Sequence, residues 1–267
     1  MDKIRVFVAT PTTGTVADAQ VWFWRETERL YGDRIEFIWP EACVRRVFHD
    51  FARNALVEEF LASKADILFF LDSDVVPPSS IMDLVLQHET WQAAGAPYPV
   101  FMTPGGHSLP QVVFTAYKGA KDGKGLGASD VPSRGTEFID GLATGCMFLK
   151  REVFAQLQKP YFEFKYNNET RQMTEGEDLG FCMKLNKLGI KFFVDYEKVA
   201  KHYKNVCLLE ISNYTQQYAK RSVEQYDAMI RPQLELLKQA IARKGQALVQ
   251  PAPHPLLVTG KGQSKTK

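Results

Sequence analysis

The chain has 267 residues, of which 45% are hydrophobic and 24% charged, with a net charge of +2. That is the balance of an ordinary globular protein, and it excludes a surface charged strongly enough to seek nucleic acid by its field alone. The longest apolar runs fall far short of the roughly 18 residues a bilayer span needs, and the opening Met1-Asp-Lys-Ile-Arg leads straight into a strand pattern, so no signal peptide is expected.

In chain order, 4–9 predicts a strand, followed by the loop Thr10-Pro11-Thr12-Thr13-Gly14. Residues 17–31 predict a helix closed by Gly32, 35–39 a second strand, and 49–63 a helix with Phe51, Ala55, Leu56 and Phe60 along one side. A third strand over 67–71 and a helix over 80–88 complete a β-α-β-α-β-α rhythm. Such alternation implies a parallel sheet with helices on both faces. After residue 90 the rhythm changes. Strand-like segments are expected at 96–101 and 111–117, and a mobile glycine-rich loop at 119–135. That loop contains Gly123-Lys-Gly125-Leu-Gly127, but no strand precedes it and no Lys-Ser/Thr follows, so it is not a phosphate loop. It is a surface loop, or a lid that orders over ligand.

One strand is expected over 138–149, a short helix over 151–157, a helix over 176–188 ended by Gly189, a strand over 190–195 and an extended piece over 199–203. Residues 214–244 have a helical pattern, in which Pro232 can open a second helix. Val223, Ile230 and Leu237 lie seven apart there, placed to pack on the domain or on a second subunit. Residues 246–267 read as a disordered tail. The cysteines Cys43, Cys146, Cys182 and Cys207 lie far apart, without zinc or redox spacing; three of them sit in apolar contexts and are expected as buried free thiols, which fits a reducing cytoplasm.

Two constellations carry chemistry. The apolar run Ile67 to Leu71 ends abruptly in Asp72-Ser73-Asp74. A short continuous apolar run reads as a strand buried on both faces. Its C-terminal end is where an open α/β sheet binds ligand. Two acids at i and i+2 point the same way along an extended strand and need a balancing charge, most naturally a hard divalent cation. The alternative is an Asp-rich turn leading into the next helix.

The second constellation is Thr174-Glu175-Gly176-Glu177-Asp178, opening a helix. Thr174 and Glu177 have capping-box spacing. Asp178 is not needed for a cap, and at a helix start facing a cleft it suits a general base. His202 follows the 190–195 strand and can join Asp74 in a mixed oxygen/nitrogen site for Mn²⁺ or Mg²⁺.

Five segments in this order carry a family resemblance: Ala52-Arg53-Asn54, Phe70-Leu71-Asp72-Ser73-Asp74, the run from Gly141 through Gly145 to Phe154, Glu177-Asp178-Leu179-Gly180-Phe181, and His202. Together they resemble a GT-A-fold glycosyltransferase, similar to the inverting family 2 enzymes, over roughly residues 4–205. The resemblance implies an α/β, Rossmann-like mixed and mostly parallel sheet flanked by helices, with a C-terminal helical extension. It places the glycosyltransferase domain at 1–210, with 1–90 as the nucleotide half and 91–210 as the acceptor half. Helices at 211–245 and the tail follow.

It also implies a nucleotide-sugar donor, a UDP- or GDP-sugar, and Mn²⁺ or Mg²⁺ as cofactor. Asp72 is put at the nucleoside, with Ser73 beside it, and Asp74 and His202 at the metal. Thr10 and Pro11 match the nucleoside-binding edge, Arg53 a residue near the nucleotide, and Asp178 the base that deprotonates an acceptor hydroxyl. Gly145 and Glu177 fall on the acceptor side. The Ala-Arg-Asn and Asp-Ser-Asp pairing is similar too to fungal mannan polymerase relatives, which retain configuration. Region 96–136 matches no named subgroup. A nucleotidyltransferase or sugar-phosphate pyrophosphorylase would also use a metal and an α/β nucleotide fold, but the Thr10–Gly14 loop lacks its basic phosphate residues. A non-catalytic nucleotide-sugar binding module is the remaining alternative.

Overall fold

The structure is a computed structural model, and it describes residues 2–12, 15–41, 48–102, 111–119, 125–129, 131–132 and 134–204, with scattered residues between 220 and 238. The expectations for Cys43, Cys207, residues 120–124 and the tail fall outside the described residues. Two compact units divide the chain, 1–205 and 206–267. In the second, the described residues from Lys220 to Lys238 are helical, Pro232 included.

The first unit begins with β1 (Ile4–Ala9), α1 (Asp18–Tyr31), β2 (Ile35–Ile38), α2 (His49–Ala62) and β3 (Ile67–Leu71). A two-residue β4 (Val75–Val76) precedes a 3-10 turn, Ser79–Met82, and the short α3 (Asp83–Leu86). Then come β5 (Ala93–Gly95), β6 (Pro99–Met102), β7 (Gln111–Phe114), β8 (Ala116–Gly119) and β9 (Leu126–Ala128). They lead to β10 (Thr136–Ile139), β11 (Gly141–Leu142), β12 (Cys146–Lys150) and α4 (Arg151–Phe154). The unit closes with β13 (Lys165–Tyr166), β14 (Met173–Glu175), α5 (Glu177–Lys187), β15 (Phe192–Asp195) and β16 (Lys201–His202).

Seven strands form the central sheet, in the order β10-β15-β5-β12-β3-β1-β2. β2, β1, β3, β5 and β15 run one way; β12 and β10 run against them. The architecture is thus the mixed, mostly parallel α/β sheet flanked by helices that the family resemblance implies, where the strand rhythm alone implies a parallel one. Side chains alternate across it, as the pleat requires. Leu68, Phe70, Met147 and Leu149 enter one core with Phe60 and Phe181; Ile67, Phe69, Leu71 and Phe148 enter the other with Phe23 and Trp91. Phe69 and Phe148 stack face to face at 4.1 Å in the second core. Both faces being covered explains why every residue from Ile67 to Leu71 is apolar and buried.

Four expectations are corrected. The single strand expected over 138–149 is three, because Ile139, Leu142 and Cys146 pair with different partners, β15, β8 and β3. The glycine-rich loop holds a strand: β9 pairs antiparallel with β8, and its half-buried Leu126 packs on the first core. The helix expected over 80–88 is a 3-10 turn followed by a single α turn. The Thr174/Glu177 capping box does not form. Thr174 lies in β14 and donates to Lys165 O, while Gly176 caps α5 without a side-chain bond.

Two residues of the resemblance motifs are structural braces. The Asn54 amide donates to Asp50 O and Phe162 O, and its oxygen accepts from Tyr161 N and Phe162 N. Arg151 donates to the carbonyls of Phe60, Leu61, Ser63 and Ala65 around the end of α2. A cation there satisfies carbonyls that the helix leaves open. Among the described residues no helix is long and apolar enough to cross a membrane.

Candidate active site

Strand β3 stops because the chain turns. Val75 N donates to Asp72 O at 3.0 Å, so Asp72-Ser73-Asp74 form a tight turn rather than a strand extension. The two acids therefore do not point the same way, as extended backbone would have required. Asp72 faces Arg53, with Nη2 at 3.2 and 3.3 Å, and Asp74 faces His202 and Lys204. Buried Gln20, on α1, holds the turn by donating to Asp72 O at 2.6 Å and Val75 O at 2.7 Å. Ala17 N donates to Ser73 O.

Opposite the turn, β16 pairs antiparallel with β4, setting His202 against Val75 and Tyr203 N on Asp74 O at 2.8 Å. His202 Nδ1 lies 2.8 Å from Pro99 O. A carbonyl can only accept, so Nδ1 carries a proton, and Nε2 faces the cleft. Nε2 is 3.4 Å from Asp74 Oδ2, and Lys204 Nζ bonds that same oxygen. Burial alone would raise the Asp74 pKa. Hydrogen bonds from His202 and Lys204 outweigh it and hold the carboxyl at about 2.

Arg53 is fully enclosed. Its Nη1 pairs with Glu177 and its Nη2 with Asp72, while buried Nε has no partner among the described residues. Burial pushes the Glu177 carboxyl upward and the Arg53 charge opposes it. Asp178, next along α5, is half-buried, and its Oδ1 accepts from Leu179 N at 2.8 Å. Tyr98 packs edge-on to His202, ring centres 5.0 Å apart, and its hydroxyl accepts from Gly145 N at 3.2 Å. Burial first, and then the Asp72 charge, keep that phenol well above its usual pKa. A Cβ on Gly145 would fall 2.5 Å from Tyr98 Oη and 2.9 Å from Asp72 Oδ2. Glycine is required there by space.

These groups line one cavity of about 470 Å³, bounded by Pro11, Arg53, Asp72, Ser73, Asp74, Tyr98, Glu177, Asp178, His202 and Lys204 among others. Thr10 and Gly145 are not among its lining residues; Thr12 is. Sequence reasoning missed Gln20, Tyr98 and Lys204. Lys204 had a signal, since it stands two residues after His202 in an extended segment and so shares its face. Gln20 extends the stripe Phe23, Thr27, Tyr31 that buries one side of α1. Tyr98 had none.

The lining holds four carboxylates (Asp72, Asp74, Glu177, Asp178) against two permanent cations, Arg53 and Lys204. A negatively charged ligand entering it needs added positive charge. Asp74 Oδ2 and His202 Nε2 suit a divalent ion. Ligands about 2.1 Å from one ion and at right angles lie about 3.0 Å apart, close to their separation. Among the described residues no group of three or more His, Cys, Asp or Glu side chains gathers around one point. The other coordination positions would therefore fall to ligand and water oxygens, as is usual for Mg²⁺.

No family model matches the chain, and no curated protein matches its sequence. Among solved structures, the crystal structure of A197 from STIV matches with a TM-score of 0.51 and 21% identity, over 75% of this chain and 86% of that one. The fold is shared. The crystal structure of GalNAc-T7 with UDP, GalNAc and Mn²⁺ matches with a TM-score of 0.40 and 13% identity, over 76% and 44% of the two chains. At those values the second likeness bears on neither site nor chemistry.

Proposed function

We propose that the chain is a divalent-metal-dependent glycosyltransferase that moves a sugar from a nucleoside-diphosphate donor, a UDP- or GDP-sugar, to an acceptor hydroxyl with inversion. The observation that carries this reading is the convergence on one cavity of the strand-end acids Asp72 and Asp74, of His202, and of the helix-start acid Asp178. The family resemblance of the five segments supports it independently. Residues 1–90 then hold the nucleotide and 91–210 shape the acceptor side, with helices after 211.

In this reading the nucleoside lies along Pro11 and Asp72, with Thr10 behind that edge and Ser73 beside it. Arg53 orients Asp72 from below. Asp74 and His202 would hold a divalent ion, which when bound would supply Lewis-acid neutralisation of the leaving diphosphate. Asp178 does the chain's own proton work. Its Oδ1 is fixed by Leu179 N, and Oδ2, with no hydrogen-bond partner among the described residues, takes the acceptor's hydroxyl proton. Positioned base catalysis contributes about 10²–10⁴-fold. Gly145 lets Tyr98 and Asp72 close up against the chain on the acceptor side, and Glu177 anchors the start of α5 through Arg53, which keeps Asp178 aimed at the cleft.

The test is thermal stability with UDP or GDP, each with and without Mn²⁺. The reading expects one of them to raise the melting temperature only when Mn²⁺ is present, and expects Asp74→Ala to lose that rise. Stabilisation equal with and without the metal would count against it.

A further inference from the structure

We propose that Lys204 is a diphosphate-binding residue held in reserve by Asp74: it neutralises Asp74 in the empty cleft, and passes to the donor's phosphates when a divalent ion takes that carboxylate. This rests on the donor reading above and adds a residue that neither the motifs nor the metal pair assign.

The two cations of the cleft differ in what they can still do. Arg53 is 4% exposed and spends both terminal nitrogens on Glu177 and Asp72. It cannot leave without stranding a buried carboxylate. Lys204 is 53% exposed and holds a single carboxylate, Asp74, which is itself a third exposed. Its stem is flexible, and it gives up one solvent-screened pair when it moves.

Its position is fixed at the root. β16 pairs with β4, and Tyr203 N is bonded to Asp74 O, so the Lys204 backbone stays at the turn while its ammonium can swing. Lys204 also stands where two cavities meet. It lines the cavity described above and a second one of about 660 Å³, and the two share Ser73, Asp74 and Lys204. An ammonium at that wall reaches ligand on either side.

Asp74 Oδ2 is the contested atom. It is the oxygen nearest to His202 Nε2 and the oxygen Lys204 bonds. An ion bridging Asp74 and His202 must displace Lys204 from it, or share it at the cost of two like charges in contact. Displaced, the ammonium is left beside the place where the ion's remaining positions call for phosphate oxygens. A diphosphate meets two cations there, one from solution and one from the chain. The cost is that bare metal binds weakly, because it must first evict the lysine. The consequence is ordered assembly, with the ion held well only when a diphosphate is there to receive Lys204.

The experiment is calorimetry on the full chain, wild type against Lys204→Met and Lys204→Arg, with three titrants: Mn²⁺ alone, UDP and GDP in saturating Mn²⁺, and the nucleosides uridine and guanosine. For Lys204→Met the proposal expects Mn²⁺ alone to bind at least threefold tighter. It expects the nucleoside diphosphate that wild type binds to lose tenfold or more, and the matching nucleoside to be unchanged. Lys204→Arg keeps a phosphate-binding cation and should stay within about threefold of wild type for the diphosphate. Melting temperatures report whether each variant is folded. Diphosphate affinity unaltered in Lys204→Met, or Mn²⁺ affinity unaltered or weaker, overturns the proposal while leaving the donor reading in place. Loss of nucleoside affinity as well would make Lys204 a structural residue and overturn it too. Failure of wild type to bind either diphosphate removes the donor reading itself, and this inference with it.

Discussion

Replacing Arg53 by methionine should be the most damaging single change in the site. The guanidinium is enclosed between Glu177, 9% exposed, and Asp72, 22% exposed. Methionine fills most of the stem's volume, so cavity formation is a minor term. What remains is a buried carboxylate with the exposed imidazole of His49 3.9 Å away. Removing one partner of a buried ion pair costs about 3–5 kcal/mol. For a unit of this size that is a fall of roughly 6–20 °C in melting temperature.

The sign of the pH dependence follows. Burial already raises the Glu177 pKa, and without Arg53 it rises further. The folded variant then holds a proton that the unfolded chain releases above about pH 4.3. The deficit should therefore shrink as pH falls from 7 towards 5. Adding Glu177→Gln removes the stranded charge and should recover about 1 kcal/mol or more, a coupling of the size expected for contacting residues. Urea unfolding of the wild type, both single variants and the double variant measures all of this. An Arg53→Met chain within about 1 kcal/mol of wild type at pH 7, or a double variant no more stable than Arg53→Met, would refute the reasoning.

Asp178→Asn keeps the shape and cannot take a proton; turnover should drop about 10²–10⁴-fold with nucleotide affinity within twofold, read from steady-state kinetics and calorimetry. Gly145→Ala pushes a methyl group to 2.5 Å from Tyr98 Oη and 2.9 Å from Asp72 Oδ2. Overpacking of that kind costs about 1–3 kcal/mol, and a melting curve together with a nucleotide titration should show both lower stability and at least tenfold weaker binding. Gln20→Ala leaves two carbonyls of the acidic turn without their buried donor; urea unfolding should show a loss of about 1–3 kcal/mol, with metal-dependent nucleotide binding weakened as the turn loosens.

The sequence carries the central sheet wherever local pattern and burial agree. Strand β3 is legible to the residue because both its faces are covered, which demands an unbroken apolar run. Helices α1, α2 and α5 are legible to within a residue or two, but the side of α2 that is buried holds Ala52, Arg53, Leu56, Val57 and Phe60, with the expected Phe51 exposed. The stretch from Thr136 to Lys150 was less so. It changes partners twice, and an apolar run does not record which strand it pairs with. The candidate site divides the same way. Asp72, Asp74, Asp178 and His202 stand out because acids and a histidine at element ends are unusual enough to notice. Their orientation does not follow from spacing, since a turn at Asp72–Val75 replaced the extended backbone that would have aligned the two acids. Glu177 shows a local rule losing to a distant partner. The Thr174/Glu177 spacing fits a cap, but a buried guanidinium 124 residues away takes the carboxylate instead. Gln20 and Tyr98 act through contacts 52 and 47 residues off in the chain, which no local pattern encodes.

The central claim is that this cleft transfers a sugar from a nucleotide donor with a divalent ion on Asp74. The most direct measurement is nucleoside diphosphate release from a panel of UDP- and GDP-sugars, with Mn²⁺ and with a chelator, by wild type and by Asp74→Ala. The account predicts release from at least one donor that requires the metal and falls a hundredfold or more in Asp74→Ala, with the variant still folded. Release that ignores the chelator, or that Asp74→Ala performs at the wild-type rate, would contradict it, as would no release from any donor on the panel.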